Sequence, residues 1–141
     1  MKRFYDTSVL VAAFQRNHTL HDRAIHVLLK ASPKDGYCAA HSLAEFYSVM
    51  TRIPVRPRIL PEQCNLMIAS LLERVSLVAL NAGEYRATIE ACAETGLSGG
   101  IIYDALLMSC ARKAAADVIF TFNPKHFNQV APDWERRIEM P

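Results

Sequence analysis

Three acids, Asp6, Glu45 and Asp104, sit among apolar neighbours that offer no local counter-charge. Asp104 lies in Ile101-Ile102-Tyr103-Asp104-Ala105-Leu106-Leu107-Met108, a helical segment apolar almost all round and expected to be buried on most sides. Glu45 interrupts Leu43-Ala44 and Phe46-Tyr47; with Ala44 and Phe46 turned to the core, it falls at the core's boundary. No Lys or Arg stands within a helical turn of Asp104, and Glu45 has none nearer than Arg52. A carboxylate so placed shifts its pKa, finds a base or coordinates a cation, because leaving it ionised and alone is costly. Taken singly, Asp6 also reads as a helix N-cap worth ~1 kcal/mol, and Asp104 as a first-turn acid favoured by the helix dipole. Taken together, three acids on one edge with no base nearby favour a hard-cation site over three separate structural accidents. Oxygen donors without a thiolate or a placed imidazole pair suit Mg²⁺ or Mn²⁺ better than Zn²⁺.

The elements that must position these acids alternate along the chain. Lys2 to Tyr5 reads as a strand leading into a helix from about Val9, capped by Asp6, Thr7 or Ser8. A helix is expected over His21 to Leu29, a strand at Gly36 to Ala40 and a helix over Leu43 to Ile53. Pro54, Pro57 and Pro61 then stiffen a connector that carries Arg56 and Arg58 just beyond Arg52. Pro61 suits the first position of a helix running to Arg74, before a buried strand over Val75 to Leu80. Asn81 should cap a helix that Gly96 ends near Thr95, and Ser98-Gly99-Gly100 opens another from about Ile101 to Ala116. Val118 to Phe122 makes a late strand broken at Asn123-Pro124, with a last short strand near Arg137 to Glu139. Strands separated by helices imply βαβ units, hence an α/β fold: a three-layer α/β/α sandwich on a mainly parallel sheet. Ligands of such sheets bind beyond the carboxyl ends of the strands. Asp6 falls there, as do Thr121 and Asn123; Glu45 and Asp104 lie early in flanking helices.

Composition excludes several classes. The 141 residues are 51% hydrophobic and 21% charged, within the range of one globular domain over 1–141 and unlike a disordered chain. No apolar run reaches the roughly 18 residues of a membrane span, and no signal-peptide pattern opens the chain, so a soluble, cytoplasmic protein is expected. A net charge of +2 permits an anionic partner without announcing one. The four cysteines form no Cys-x-x-Cys pair and read as free buried thiols. His18, His21 and His26 are close in sequence but lack a further zinc ligand, and His126 reads as a loop residue or a phosphate contact.

Four segments, Phe4-Tyr5-Asp6-Thr7-Ser8-Val9-Leu10, Leu43-Ala44-Glu45-Phe46, Ile102-Tyr103-Asp104-Ala105-Leu106 and Thr121-Phe122-Asn123-Pro124-Lys125-His126-Phe127, resemble in order and spacing those of the PIN-domain nucleases, especially VapC-type toxins. The resemblance spans nearly the whole chain. It implies Mg²⁺- or Mn²⁺-dependent cleavage of RNA, a homodimer, and inhibition by a small antitoxin protein. It also implies that Asp6, Glu45 and Asp104 are the acidic metal ligands and catalytic residues, with Thr121 near the metal and Thr7 and Ser8 adjacent. Asn123 departs from the pattern, since many members carry a fourth acid there. An amide supplies oxygen without charge, so a single resting metal ion is expected.

Arg52, Arg56 and Arg58 read in three ways: tracking an RNA backbone, gripping an acidic antitoxin tail, or forming a solvated loop. A catalytically weak or inactive PIN-like module that binds RNA or antitoxin is the alternative reading. A phospho-accepting receiver would need an acid where Leu80-Asn81 stand, and a haloacid-dehalogenase phosphatase an Asp where Ser8 stands.

Overall fold

A computed structural model describes residues 1–141. Five short strands, β1 (Arg3–Tyr5), β2 (Gly36–Ala39), β3 (Ser76–Val78), β4 (Val118–Phe120) and β5 (Ile138–Glu139), form one sheet in the order β3-β2-β1-β4-β5. Every pairing is parallel, with Arg3 opposite both Gly36 and Val118 and Cys38 opposite Leu77. The helices are α1 (Thr7–Ala13), α2 (His21–Leu28), α3 (Ala40–Arg52), α4 (Pro61–Leu72), α5 (Ala82–Glu94), α6 (Ile101–Lys113) and α7 (Pro124–Val130), with a 3₁₀ turn at Pro132–Arg137. None is long and apolar enough to cross a membrane.

Strand alternation divides the core in two. Tyr5, Cys38, Val118 and Phe120 point to one face, where they meet Val9, Leu10, Leu28, Phe46, Met50 and Leu71 from the first four helices. Phe4, Ala39, Ile119 and Val78 point to the other, against Leu107, Met108, Ala111 and Phe127. The result is the expected three-layer α/β/α arrangement.

The differences from the sequence reading have local causes. β3 is an edge strand with Leu77 42% exposed, because β2 pairs with one of its sides and nothing with the other. α3 begins at Ala40 rather than Leu43, which puts His41 on its first turn. Ala44 is exposed, and the buried stripe of α3 is Ser42, Phe46 and Met50. Residues two apart on a helix diverge, whereas those four apart share a face. β4 stops at Phe120, two residues short of the expected end, as the chain turns at Thr121.

Several expected punctuation marks hold. Asn81 caps α5 reciprocally with Glu84, both bonds at 2.9 Å. Pro61 opens α4, and Gly96 ends the α5 segment at φ +72°. The C-terminal segment is held at Trp134, whose ring centre lies 4.9 and 4.6 Å from the guanidinium carbons of Arg112 and Arg137, while Arg112 also pairs with Asp133. β5 in turn receives the backbone N–H of Thr121 on the Glu139 carbonyl at 3.0 Å.

Gly36 marks the tightest approach to the sheet: a Cβ there would stand 2.8 Å from both the Ala31 Cβ and the Arg74 carbonyl oxygen. Gly36→Ala is therefore expected to lower stability by about 1–3 kcal/mol, read from the urea midpoint. An unchanged midpoint would show that the α4–β3 turn yields freely.

Candidate active site

The strand order reverses direction at β1: the chain moves to β2 and β3 on one side, then crosses to β4 on the other. The crevice beyond the carboxyl ends of β1 and β4 is the topological switch point of the sheet. Asp6 lies there directly after β1, and its backbone N–H bonds to the Phe120 carbonyl of β4 at 3.0 Å.

Asp6 occupies the N-cap position of α1, yet its side chain makes no capping bond, so the simple cap explanation fails. Instead one carboxylate oxygen, Oδ2, accepts from the hydroxyls of Ser8 at 2.7 Å and Thr121 at 2.8 Å. Those hydroxyls accept in turn from the backbone N–H groups of Phe122 at 3.1 Å and Asn123 at 2.9 Å. The relay fastens the β4–α7 turn to the β1–α1 junction. Asp6 is 4% exposed, and this burial pushes its carboxyl above the usual carboxylate range despite the donated hydrogen bonds.

Glu45 projects from the second turn of α3 with its side chain 36% exposed. The Thr7 hydroxyl lies 3.2 Å from Glu45 Oε1 and 2.9 Å from the hydroxyl of buried Ser42, and His41 Nε2 approaches Glu45 Oε1 to 3.6 Å. Asp104 stands in the first turn of α6, its carboxylate 3.7 Å from His126 Nδ1 on α7. Burial pushes the Asp104 carboxyl up, the negative charges of Asp6 and Glu45 add to the rise, and His126 opposes it. Asp6, Glu45 and Asp104 line a single cavity of about 400 Å³, together with Thr7, Ser8, Tyr103 and Asn123. Asp104 also borders a neighbouring cavity of about 530 Å³ that His126 and Gln129 enter.

The donor set fits a hard divalent cation: every group is oxygen, and the three acids lack a lysine or arginine partner. The acids are not gathered into a closed cluster of three ligands. Each leans on its own neighbour, Asp6 on two hydroxyls, Glu45 on Thr7 and His41, and Asp104 on His126.

The remaining sequence candidates separate. Thr121 is fully buried and bonded to Asp6, whereas Asn123 is exposed at the cavity rim. Arg52, Arg56 and Arg58 are exposed, and Arg52 shares a shallow groove with His41 and Glu45. His18 accepts the Leu20 N–H through Nδ1, and His21 Nδ1 lies 3.0 Å from the Ala12 carbonyl. Both serve the α1–α2 connection, and His18 also borders the cavity. The four cysteines are free and buried. Sequence reasoning missed His41 and Tyr103, whose rings are parallel within 4° at a centroid distance of 6.0 Å. The spacing of His41 four residues before Glu45 was the available signal, hidden by a helix start placed three residues late.

Comparison with known proteins converges on one family. The PIN domain profile matches residues 3–132. The chain is 36% identical over 114 residues to ribonuclease VapC40 of Mycobacterium tuberculosis, spanning 81% of each protein. Among solved structures, VapC20 of the same organism, described as a sarcin-ricin loop cleaving toxin, aligns with a TM-score of 0.71 at 17% identity over 89% of this chain and 92% of that one. VapBC2 from Rickettsia felis, bound to a DNA fragment from its promoter, aligns at 0.68 and 19% identity over 100% and 99%. The last two similarities speak to the fold, while the profile and the VapC40 identity reach further: the chain belongs to the PIN domain family.

Proposed function

We propose that this chain is a Mg²⁺- or Mn²⁺-dependent endoribonuclease and the toxin of a toxin–antitoxin pair. The observation that carries the reading is that Asp6, Glu45 and Asp104, none with a lysine or arginine partner, line one cavity at the switch point. The kinship with ribonuclease VapC40 supports RNA as the substrate.

Asp6 and Asp104 would be the direct ligands, and Glu45 would either complete the set or orient the attacking water. Ser8 and Thr121 hold the Asp6 carboxylate in place, and the buried Thr7–Ser42 pair does the same for Glu45. His41 beside Glu45 and His126 beside Asp104 would flank those carboxylates at the edge of the site. When bound, the cation supplies a lowered water pKa and a positive charge beside the scissile phosphate. Hydrolysis by water rather than by the ribose hydroxyl leaves a 5′-phosphate. Asn123 at the rim adds an amide without charge, which favours one resting ion. A homodimer and an antitoxin partner belong to the same proposal. Exposed Leu66 and Leu72 on α4 offer apolar surface, but Leu71 between them is buried in the core.

Asp104→Asn is expected to keep the fold and to lower the rate of cleavage of a mixed RNA pool by about two to three orders of magnitude. EDTA should suppress the wild-type reaction; activity that survives both changes counts against the proposal, and a silent wild type favours a binding module.

The raised carboxyls also make a stability statement. In the folded chain Asp6 and Asp104 hold protons more tightly than in the unfolded one, where the usual value is 3.8. Against the opposite trend of Asp35, Glu84 and Asp133, the contribution of these two groups to stability is therefore fully present below that value and is lost as pH rises through their raised folded values. Neutralising these charges reverses the loss. Mn²⁺ at about 100 times its Kd should add about 2.7 kcal/mol in thermal melts at pH 7, and Asp104→Asn should shrink that gain.

If Arg56 and Arg58 follow the RNA backbone, the double alanine variant lowers the slope of log binding constant against log salt by about 2. An unchanged slope assigns them to the antitoxin or to solvent.

A further inference from the structure

Tyr103 is 54% exposed, although it precedes Asp104 in α6 and lines the same cavity. An aromatic ring left in water at the rim of the cavity that holds the acids keeps a large apolar face uncovered, unlike the buried aromatics Tyr5, Phe4 and Phe46. Its orientation is fixed from behind. His41 lies parallel to it within 4° at 6.0 Å, inside the range of stacked aromatic pairs. His41 is itself held one helical turn from Glu45, 3.6 Å from that carboxylate. The two rings therefore form a shelf between α3 and α6, fastened at both ends to the acids of the site: Tyr103 by its chain neighbour Asp104, His41 through Glu45.

A polynucleotide threading this cavity sets a phosphate among the carboxylates and carries its adjoining bases only a few ångströms away. Unstacked bases of single-stranded RNA are commonly received on exposed aromatic faces, and such stacking tolerates any base because each presents a π-face. We propose that the solvent-facing side of Tyr103, backed by His41, receives the nucleobase adjoining the scissile phosphate, so that the chain selects single-stranded or splayed-out RNA. This rests on the ribonuclease reading and adds to it a residue that positions substrate. The ring, not the hydroxyl, carries the contact.

The test measures binding by fluorescence anisotropy in calcium buffer with two labelled probes: a short single-stranded RNA pool of random sequence, and an oligomer of the same length whose nucleotides are abasic. Tyr103→Ala should weaken binding of the RNA pool by about tenfold and leave the abasic oligomer unchanged, while Tyr103→Phe restores wild-type affinity. In magnesium the alanine variant should show a raised KM for RNA with kcat little altered. Equal affinity of wild type and Tyr103→Ala for the RNA pool, with EDTA-sensitive cleavage intact, overturns the shelf alone and leaves the exposed ring to a protein contact. Equal losses on both probes also overturn it, since a base would then not be what the ring holds. Absence of both RNA binding and cleavage in the wild type overturns the ribonuclease reading and the shelf with it.

Discussion

The structure turns on a buried carboxylate with no cationic partner. Asp6 is almost entirely withdrawn from solvent, and what holds it is a pair of hydroxyls from residues far apart in the chain. Neutral donors relieve part of the desolvation of an ionised group but do not cancel its charge. The site therefore carries an electrostatic debt, increased by Asp104 and Glu45 facing the same cavity. Folding tolerates this because the two core layers beneath, with Phe4 and Tyr5 on opposite faces of β1, fix the strand that ends at Asp6. A site under such tension is a familiar compromise between stability and activity.

The flanking helices divide the labour. α3 uses its buried stripe of Ser42, Phe46 and Met50 to seat itself, which leaves Glu45 and His41 at the cavity's edge. α6 is buried along Ala105 to Met108, and it reaches the crevice with Tyr103 and Asp104 of its first turn and with Leu107 one turn on. The acids thus stand at a strand end and in the first two turns of α3 and α6, while the buried stripes of both helices serve packing. Arg52, two turns beyond Glu45 on α3, extends a polar track away from the acids toward the proline-stiffened connector.

Much of this was readable in the linear sequence, for physical reasons that differ from element to element. The parallel α/β architecture follows from short β-branched and aromatic runs separated by amphipathic segments, and Asn81, Pro61 and Gly96 mark boundaries through local stereochemistry alone. Asp6, Glu45 and Asp104 were conspicuous because acids in apolar company demand an explanation. What stayed hidden depends on tertiary geometry. Nothing local says that Thr121 donates to Asp6, that Ala44 faces water, or that β3 lies at an edge. The pairing of His41 with Tyr103 across two helices is likewise invisible until the helices are placed side by side.

The hydroxyl of Thr121 reaches an acid that precedes it by 115 residues, and the backbone of Thr121 is held by Glu139 in β5. On a ribosome, then, Asp6 emerges early and waits through the synthesis of nearly every other element before its partner arrives. Contacts of such long range form late in folding. The relay that steadies the first acid is thus completed only when β4 has joined β1 and β5 has joined β4, which makes the crevice a product of the whole sheet and not of any one segment.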